Sequence, residues 1–111
     1  MKKRRKIRVN KYNRYKKNHR NSRNYNDPVY KSWRRSIYRR DKHQCQWPGC
    51  KCKKRLNAHH IMTWSKYPSL RFDKNNGITL CYAHHNEIRG KEECYVKMFH
   101  EIIIRKLKEK E

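Results

Sequence analysis

The chain has 111 residues, a formal net charge of +23 and a pI near 10.3, and only 34% of its residues are hydrophobic. This length leaves room for one domain with a small core, a size that often needs a metal ion or a disulfide for stability. The charge predicts a polyanionic partner, and it favours nucleic acid over a membrane surface because no long apolar run, secretory signal or lipidation motif is present.

The first 26 residues contain twelve Lys or Arg residues and no acidic residue. Their tyrosines follow neither a helical nor a strand period. This segment predicts a disordered basic arm, because it cannot bury enough apolar surface to fold. Such an arm would add salt-sensitive, sequence-independent contacts to phosphates, and a tail that only keeps the protein soluble is the alternative.

A helix is expected to begin with Asp27 as its N-cap and Pro28 in its first turn. Four apolar residues then recur at helical spacing and predict the buried face: Val29, Tyr30, Trp33 and Ile37. The opposite face is basic and includes Arg34 and Arg35. These arginines either contact phosphates or are only solvated.

Two short strands are predicted over residues 54 to 62 and 78 to 80, separated by a loop whose aromatic residues are expected to pack beneath it. A helix is expected to begin at Tyr82 and to reach Arg89. After Gly90, residues 91 to 109 predict a final helix with one apolar stripe: Tyr95, Val96, Phe99, Ile102, Ile103 and Leu107. We expect this stripe to dock on the domain of a monomer, with a dimer interface as the alternative.

The chain has five cysteines, an odd number, which argues against a disulfide framework and for a reduced compartment. The turn between Cys45 and Cys50 can aim two thiolates at one point, and a Cys–His pair lies at the second strand-to-helix junction. Two such pairs, about thirty residues apart, predict a structural Zn²⁺ site. Its ligands would be Cys45, Cys50, Cys81 and His84. Cys52 is a rival ligand, and unligated thiols are the alternative to a zinc site.

Three further histidines, His59, His60 and His85, suit phosphodiester hydrolysis. That reaction needs an activated water, a cation near the scissile phosphate and stabilisation of the leaving oxygen. Adjacent strand residues point to opposite faces, so His59 and His60 cannot do the same job. If His85 points into the same cleft, two of the three can hold a cation and one can be the base. The spacing alone leaves open which of the pair is the ligand.

Between about residues 28 and 90, the chain resembles HNH endonucleases of the bacterial and phage type. The resemblance is carried by Ala58-His59-His60-Ile61, Leu70-Arg71-Phe72-Asp73, Asn76-Gly77-Ile78-Thr79-Leu80-Cys81, His84-His85, Trp33-Arg34, Arg40-Asp41 and the Cys45-to-Cys50 knuckle. It implies an α+β domain over residues 27 to 111, with a ββα-metal core at 41 to 90, a zinc knuckle and flanking N- and C-terminal helices. It also implies DNA cleavage with a divalent cation, usually Mg²⁺.

The resemblance also implies a role for each site residue. His59 and His85 would hold the catalytic cation, and His60 would be the general base. Asn76 would steady the loop and the orientation of the base. His84 stands where many family members have a second cysteine, so the zinc ligands would be three cysteines and one histidine. Some members carry another metal-binding histidine at the position of Arg89, which here either contacts a phosphate or is solvated.

The function implied is endonucleolytic cleavage of DNA, most simply double-stranded DNA, in the cytoplasm of a bacterium or a phage-infected cell. No small-molecule substrate and no membrane partner are expected. The alternative is a zinc-stabilised protein that binds nucleic acid without cutting it. Such a binder needs the zinc ligands but has no need for a second set of histidines. Homing, packaging and restriction stay open as biological roles.

Overall fold

The computed structural model describes residues 23–109. It has an α+β fold, as predicted, with helices α1 (Pro28–Arg40), α2 (Tyr82–Glu87) and α3 (Val96–Glu109) and strands β1 (Leu56–His60) and β2 (Gly77–Cys81). Three short 3-10 turns lie at Pro68–Leu70, Lys74–Asn76 and Glu92–Tyr95. Residues 1 to 22 of the predicted arm lie outside the described residues. Residues 24 to 27 form a turn, closed by a 3.0 Å hydrogen bond from the Asp27 amide to the Asn24 carbonyl.

Helix α1 begins as predicted. The Asp27 side chain accepts a 2.9 Å hydrogen bond from the Val29 amide and so caps the helix. Tyr30, Trp33 and Ile37 are buried, which confirms three of the four residues of the expected buried face. The prediction for Val29 is wrong: its side chain is 53% exposed and lines an open surface groove with Phe72.

Strands β1 and β2 pair in antiparallel register, from Leu56 opposite Cys81 to His60 opposite Gly77. The first strand is shorter than the predicted range of 54 to 62. It cannot include Arg55, whose φ of +53° lies in the left-handed region and not in the extended one. The loop between the strands contains two 3-10 turns and buries Trp64, whereas Tyr67 and Phe72 are 40% and 41% exposed. The expected packing of loop aromatics therefore holds for Trp64 alone.

The two-stranded sheet lies between two helical layers. On one face, Ala58 packs with residues of α1 and with Trp64. On the other face, Ile78 and Leu80 pack with Phe99 and Ile103 of α3. Helix α1 approaches closely because Gly77 has no side chain: a Cβ there would lie 2.6 Å from both the Ile37 Cδ1 and the Trp33 Cζ2. These two layers determine which environment each strand side chain meets.

A buried ion pair joins the end of α1 to β2. The Asp41 carboxylate accepts two hydrogen bonds of 2.9 Å from the Arg40 guanidinium and one of 2.9 Å from the Thr79 amide. Arg40 also donates to the Gly77 carbonyl at 2.7 Å. Because both charges are paired and hydrogen-bonded, this connection fixes the register between α1 and the sheet.

The C-terminal half differs from the prediction in its boundaries. Helix α2 ends at Glu87 instead of Arg89, and the helix expected from residue 91 begins as a 3-10 turn before α3. Of the predicted stripe, Phe99 and Ile103 are buried, whereas Leu107 is 41% exposed. No helix between residues 23 and 109 combines the length and the hydropathy that a membrane crossing requires.

Candidate metal centre and histidine site

The first pair of cysteines is positioned by a tight turn. The Cys50 amide donates to the Trp47 carbonyl at 2.9 Å, with Pro48 and Gly49 between them. Gly49 has φ +83°, as the third position of a type II turn requires, and proline suits the second position. The Gln46 amide donates to the Thr79 carbonyl at 2.9 Å, which attaches this turn to β2. The knuckle is thereby held beside the second Cys–His pair.

The four predicted zinc ligands come together. The ligand atoms of this Cys/His cluster all lie within 4.8 Å of one another and belong to Cys45, Cys50, Cys81 and His84. The Nδ1 of His84 is 3.3 Å from the Cys81 sulfur and 3.6 Å from the Cys45 sulfur. Tetrahedral zinc, with Zn–S near 2.3 Å and Zn–N near 2.0 Å, places sulfur and nitrogen ligands about 3.6 Å apart. The cluster can therefore hold a metal ion such as zinc.

The surroundings of the cluster are apolar and ordered. The Trp47 ring stacks on the His84 ring with centroids 4.6 Å apart and planes 8° from parallel. Burial raises the pKa of the Cys45 thiol to about 12, so the thiolate needs a nearby cation to form. A bound dication supplies that charge and displaces the proton. The packing of Trp47 on His84 was not predicted, although an aromatic residue inside the knuckle turn is a usable sequence signal.

The remaining cysteines lie outside the cluster. Cys52 is exposed, and its thiol donates to the Lys54 carbonyl at 3.5 Å. The geometry therefore selects Cys50 over its rival Cys52. Cys94 is exposed in the 3-10 turn before α3.

His59 and His85 come together on the face of the sheet that α2 and α3 cover. Their ring centroids are 5.8 Å apart, and His59 also contacts Phe99 at 5.6 Å. The Nε2 of His59 is buried and has no hydrogen-bond partner in the described part of the chain. Burial, together with the smaller effect of the neighbouring His85, lowers the pKa of His59 to about 3. A neutral, unpartnered ring nitrogen beside a second imidazole is a donor arrangement that fits a metal ion.

His60 lies on the other face of the sheet, as the strand alternation predicts. Its ring stacks on Trp33, with centroids 4.0 Å apart and planes 12° from parallel. The Trp33 indole is itself fixed by a 2.8 Å hydrogen bond from its Nε1 to the Asp73 carbonyl. Trp33 is buried as its helical spacing predicts, but its contact with His60 has no sequence signal because the two residues meet only through tertiary packing.

The hydrogen bonds of His60 determine its tautomer. The Nε2 lies 2.8 Å from the Arg71 carbonyl oxygen, which can only accept, so Nε2 carries the proton. The Nδ1 then carries the free lone pair, and it is buried with no partner among residues 23–109. Burial lowers the pKa of His60 to about 4, against the opposing effect of the hydrogen bond to Arg71. The ring is therefore neutral near pH 7.

Asn76 closes the loop between the two strands. Its side-chain oxygen accepts from the Met62 amide at 2.7 Å, and its nitrogen donates at 3.0 Å to the carbonyls of Met62 and Leu70. The Leu70 carbonyl directly precedes the Arg71 carbonyl that holds His60. A buried amide thus holds the segment that orients the histidine.

The three histidines (the histidine site) do not form the open cleft that the sequence led us to expect. His59 and His60 are 7% and 2% exposed, on opposite faces, and only His85 is partly exposed. Arg35 and Arg89 are exposed, and Arg34 lies 5.9 Å from the centre of the Tyr30 ring. The charge of Arg89 contributes, after burial, to lowering the pKa of His85, so Arg89 lies on the His85 side of the site.

Comparison of the chain with protein-family models, with curated proteins and with solved structures gives no match. The family resemblance therefore stays a prediction. Any functional conclusion must come from the chemistry of the two sites just described.

Proposed function

We propose that the protein is a metal-dependent DNA endonuclease of the HNH type. The observation that carries the proposal is the pairing of His59 with His85, 5.8 Å apart, immediately beside a separate and complete set of four zinc-type ligands. A protein that uses one metal for stability needs the Cys/His cluster only. A second group of nitrogen donors in the same small fold fits a second, reactive metal.

The two proposed metals differ in their ligands. The Cys/His cluster fits structural Zn²⁺, which stabilises a fold with a small core. At His59 and His85, a divalent cation would act as a Lewis acid toward the scissile phosphate. Two imidazoles suit Ni²⁺ or Zn²⁺ better than Mg²⁺ or Mn²⁺, which prefer oxygen ligands, so Mg²⁺ is only one of the cations to test.

His60 is the proposed general base. Its proton is held on Nε2 by the Arg71 carbonyl, which leaves the Nδ1 lone pair to accept a proton from water. Asn76 supports this orientation through the adjacent Leu70 carbonyl. Because Nδ1 is shielded in the free protein, substrate binding must open a path for water to reach it.

The charge distribution supports a nucleic-acid substrate. Residues 51 to 55 form an exposed segment (the basic loop) with four cations, namely Lys51, Lys53, Lys54 and Arg55. The Arg55 guanidinium lies 4.0 Å from the centre of the Tyr82 ring, at the first residue of α2. Together with a net charge of +23, this loop suits electrostatic contact with a phosphate backbone.

Plasmid cleavage tests the proposal. The purified protein is incubated with supercoiled DNA without added cation and with Mg²⁺, Mn²⁺, Ni²⁺ or Zn²⁺. We expect nicked or linear product with at least one cation, and a loss of about 100-fold or more for His85→Ala. His43→Asn changes an exposed histidine outside the site and should cleave normally. Undiminished cleavage by His85→Ala at unchanged zinc content would refute the proposed catalytic role.

One observation favours a second candidate function, a zinc-stabilised nucleic-acid-binding protein. His59 and His60 are both buried, as histidines with a purely structural role would be. This candidate predicts a gel shift with DNA and no cleavage with any of the four cations. It also predicts that His85→Ala leaves DNA affinity unchanged.

A further inference from the structure

The last residues of the basic segment fold against the domain and bring one arginine to the histidine site. The turn at residues 24 to 27 precedes α1, and the Tyr25 ring meets the Tyr30 ring edge-on at 5.3 Å. Arg23, the first described residue, is thereby directed across the end of α1 toward the loop between the strands.

Arg23 contacts Trp64, and Trp64 in turn contacts His60. Its guanidinium is 5.4 Å from the centre of the Trp64 ring, and that ring meets the His60 ring edge-on at 5.4 Å. Arg23 also lines a cleft of about 660 Å³. The other walls of the cleft are residues 63 to 66, which follow β1, and residues 90 to 94, which follow α2. These wall segments begin three residues after His60 and five residues after His85, and the histidines themselves do not line the cleft.

The charge of Arg23 reaches all three histidines. Burial is the main cause that lowers the pKa values of His59, His60 and His85, and the positive charge of Arg23 adds to the lowering at each. A residue far from them in sequence thus shares their electrostatic environment. In the sequence, Arg23 is only one of the twelve cations of the predicted disordered arm.

Within residues 23–109, Arg23 forms no ion pair, and its side chain donates a hydrogen bond to the Tyr30 hydroxyl. Another cation of the same cleft is neutralised, since Lys66 pairs with Glu93 at 2.6 Å. An uncompensated guanidinium has a planar set of N–H donors that matches a phosphate. A divalent cation at His59 and His85 would be repelled by Arg23 unless an anion lay between them. A phosphodiester oxygen pair satisfies both cations at once.

We propose that Arg23 is a catalytic residue that binds the scissile phosphate from the side opposite the divalent cation. This inference rests on the proposed nuclease function. It adds Arg23, a residue of the basic segment, to the residues that would bind the substrate. Arg23 would donate hydrogen bonds to the non-bridging oxygens and stabilise the charge that develops on them in the transition state.

The test compares Arg23→Ala and Arg23→Lys with Arg105→Ala, which removes an exposed arginine of α3. Single-turnover cleavage is measured with the cation that gives the highest wild-type rate. DNA affinity is measured by fluorescence anisotropy at several salt concentrations without added cation. Zinc content and the melting temperature show that each variant is folded.

We expect Arg23→Ala to lower the cleavage rate about 100-fold and Arg23→Lys to restore part of it, because lysine keeps the charge but not the planar donor set. The slope of log affinity against log salt should fall by about 1 for Arg23→Ala and stay unchanged for Arg105→Ala. Cleavage by Arg23→Ala within about twofold of wild type, or an unchanged salt slope, would overturn the proposal. If the wild-type protein itself does not cleave DNA, the nuclease function fails, and the salt slope still decides whether Arg23 contacts a phosphate.

Discussion

The Cys/His cluster and the histidine site use neighbouring residues of α2, yet the fold brings a full set of ligand atoms together only in the cluster. In the cluster, four ligand atoms already lie within 4.8 Å of one another. In the histidine site, the His59 and His85 rings meet edge-on at 5.8 Å, and the third histidine lies on the opposite face of the sheet. A centre that stabilises the fold must be complete before any substrate arrives. A reactive metal site leaves positions for water and substrate, and the proposed cation at His59 and His85 would have only these two protein ligands.

The cluster should therefore control stability, and removing a ligand should have the largest effect. We expect Cys81→Ser to lose zinc and cooperative folding. The unfolded chain has no preformed site, so the zinc-binding free energy of about 10 kcal/mol or more stabilises only the folded state, and a domain with so small a core depends on it. Zinc content by elemental analysis and a thermal melt measure this. Cys52→Ser is the matched control, since its thiol lies outside the cluster. A normal melt for Cys81→Ser would contradict a structural metal at this position.

On the histidine side, we expect Asn76→Ala to destabilise the fold by about 2–4 kcal/mol. The substitution removes three hydrogen bonds and leaves the Met62 amide and the carbonyls of Met62 and Leu70 without their partner. Urea unfolding measures the loss. Zinc content should stay normal, which separates this site from the cluster. Asn75→Ala, at an exposed neighbour, should change stability far less, and an equal loss would argue against the role of the buried amide.

The close contact of α1 with the sheet at Gly77 predicts a smaller loss of stability when this glycine is replaced. Gly77→Ala would place a methyl group 2.6 Å from Ile37 Cδ1 and Trp33 Cζ2, and we expect a cost of about 1–3 kcal/mol. The double variant with Ile37→Val removes one of these atoms and should recover part of that cost. Urea unfolding of the two single variants and the double variant gives the coupling energy. A coupling energy of zero would show that the helix moves away instead of repacking.

The smallest expected effect concerns the basic loop. We expect replacement of Lys53 and Lys54 by Ala to lower the salt slope of DNA binding by about 2, with stability and zinc content unchanged. Both side chains are exposed, so the fold does not depend on them. The control replaces Lys97 and Lys108, two exposed lysines of α3. An identical change of slope for both pairs would mean that total charge, and not the basic loop, determines affinity.

Local sequence signals predicted the local parts of this fold correctly. The Asp27 cap and the Cys–His spacings act between residues a few positions apart, so the start of α1 and the ligands of the Cys/His cluster could be read from the chain. Strand alternation likewise predicted that His59 and His60 lie on opposite faces. It could not predict that both faces are covered by helices, which is why both rings are buried.

Contacts between distant residues could not be predicted in this way. Arg40 donates to the Gly77 carbonyl across 37 residues, and Trp33 stacks on His60 only because Gly77 lets α1 approach the sheet. Helical periodicity assigned Val29 to the buried face, but periodicity does not show how much of a helix the sheet covers. The composition of the N-terminal segment predicted disorder, but composition cannot show that one of its residues, Arg23, has a defined contact with Trp64.

Zinc content in His84→Ala and His85→Ala tests most directly the claim that these neighbouring histidines serve different metals. The two variants differ by one position on α2 and remove the same side chain. We expect one zinc ion per chain in the wild type and in His85→Ala, and a clear loss of zinc in His84→Ala. Equal zinc loss in both variants, or full retention in His84→Ala, would contradict it.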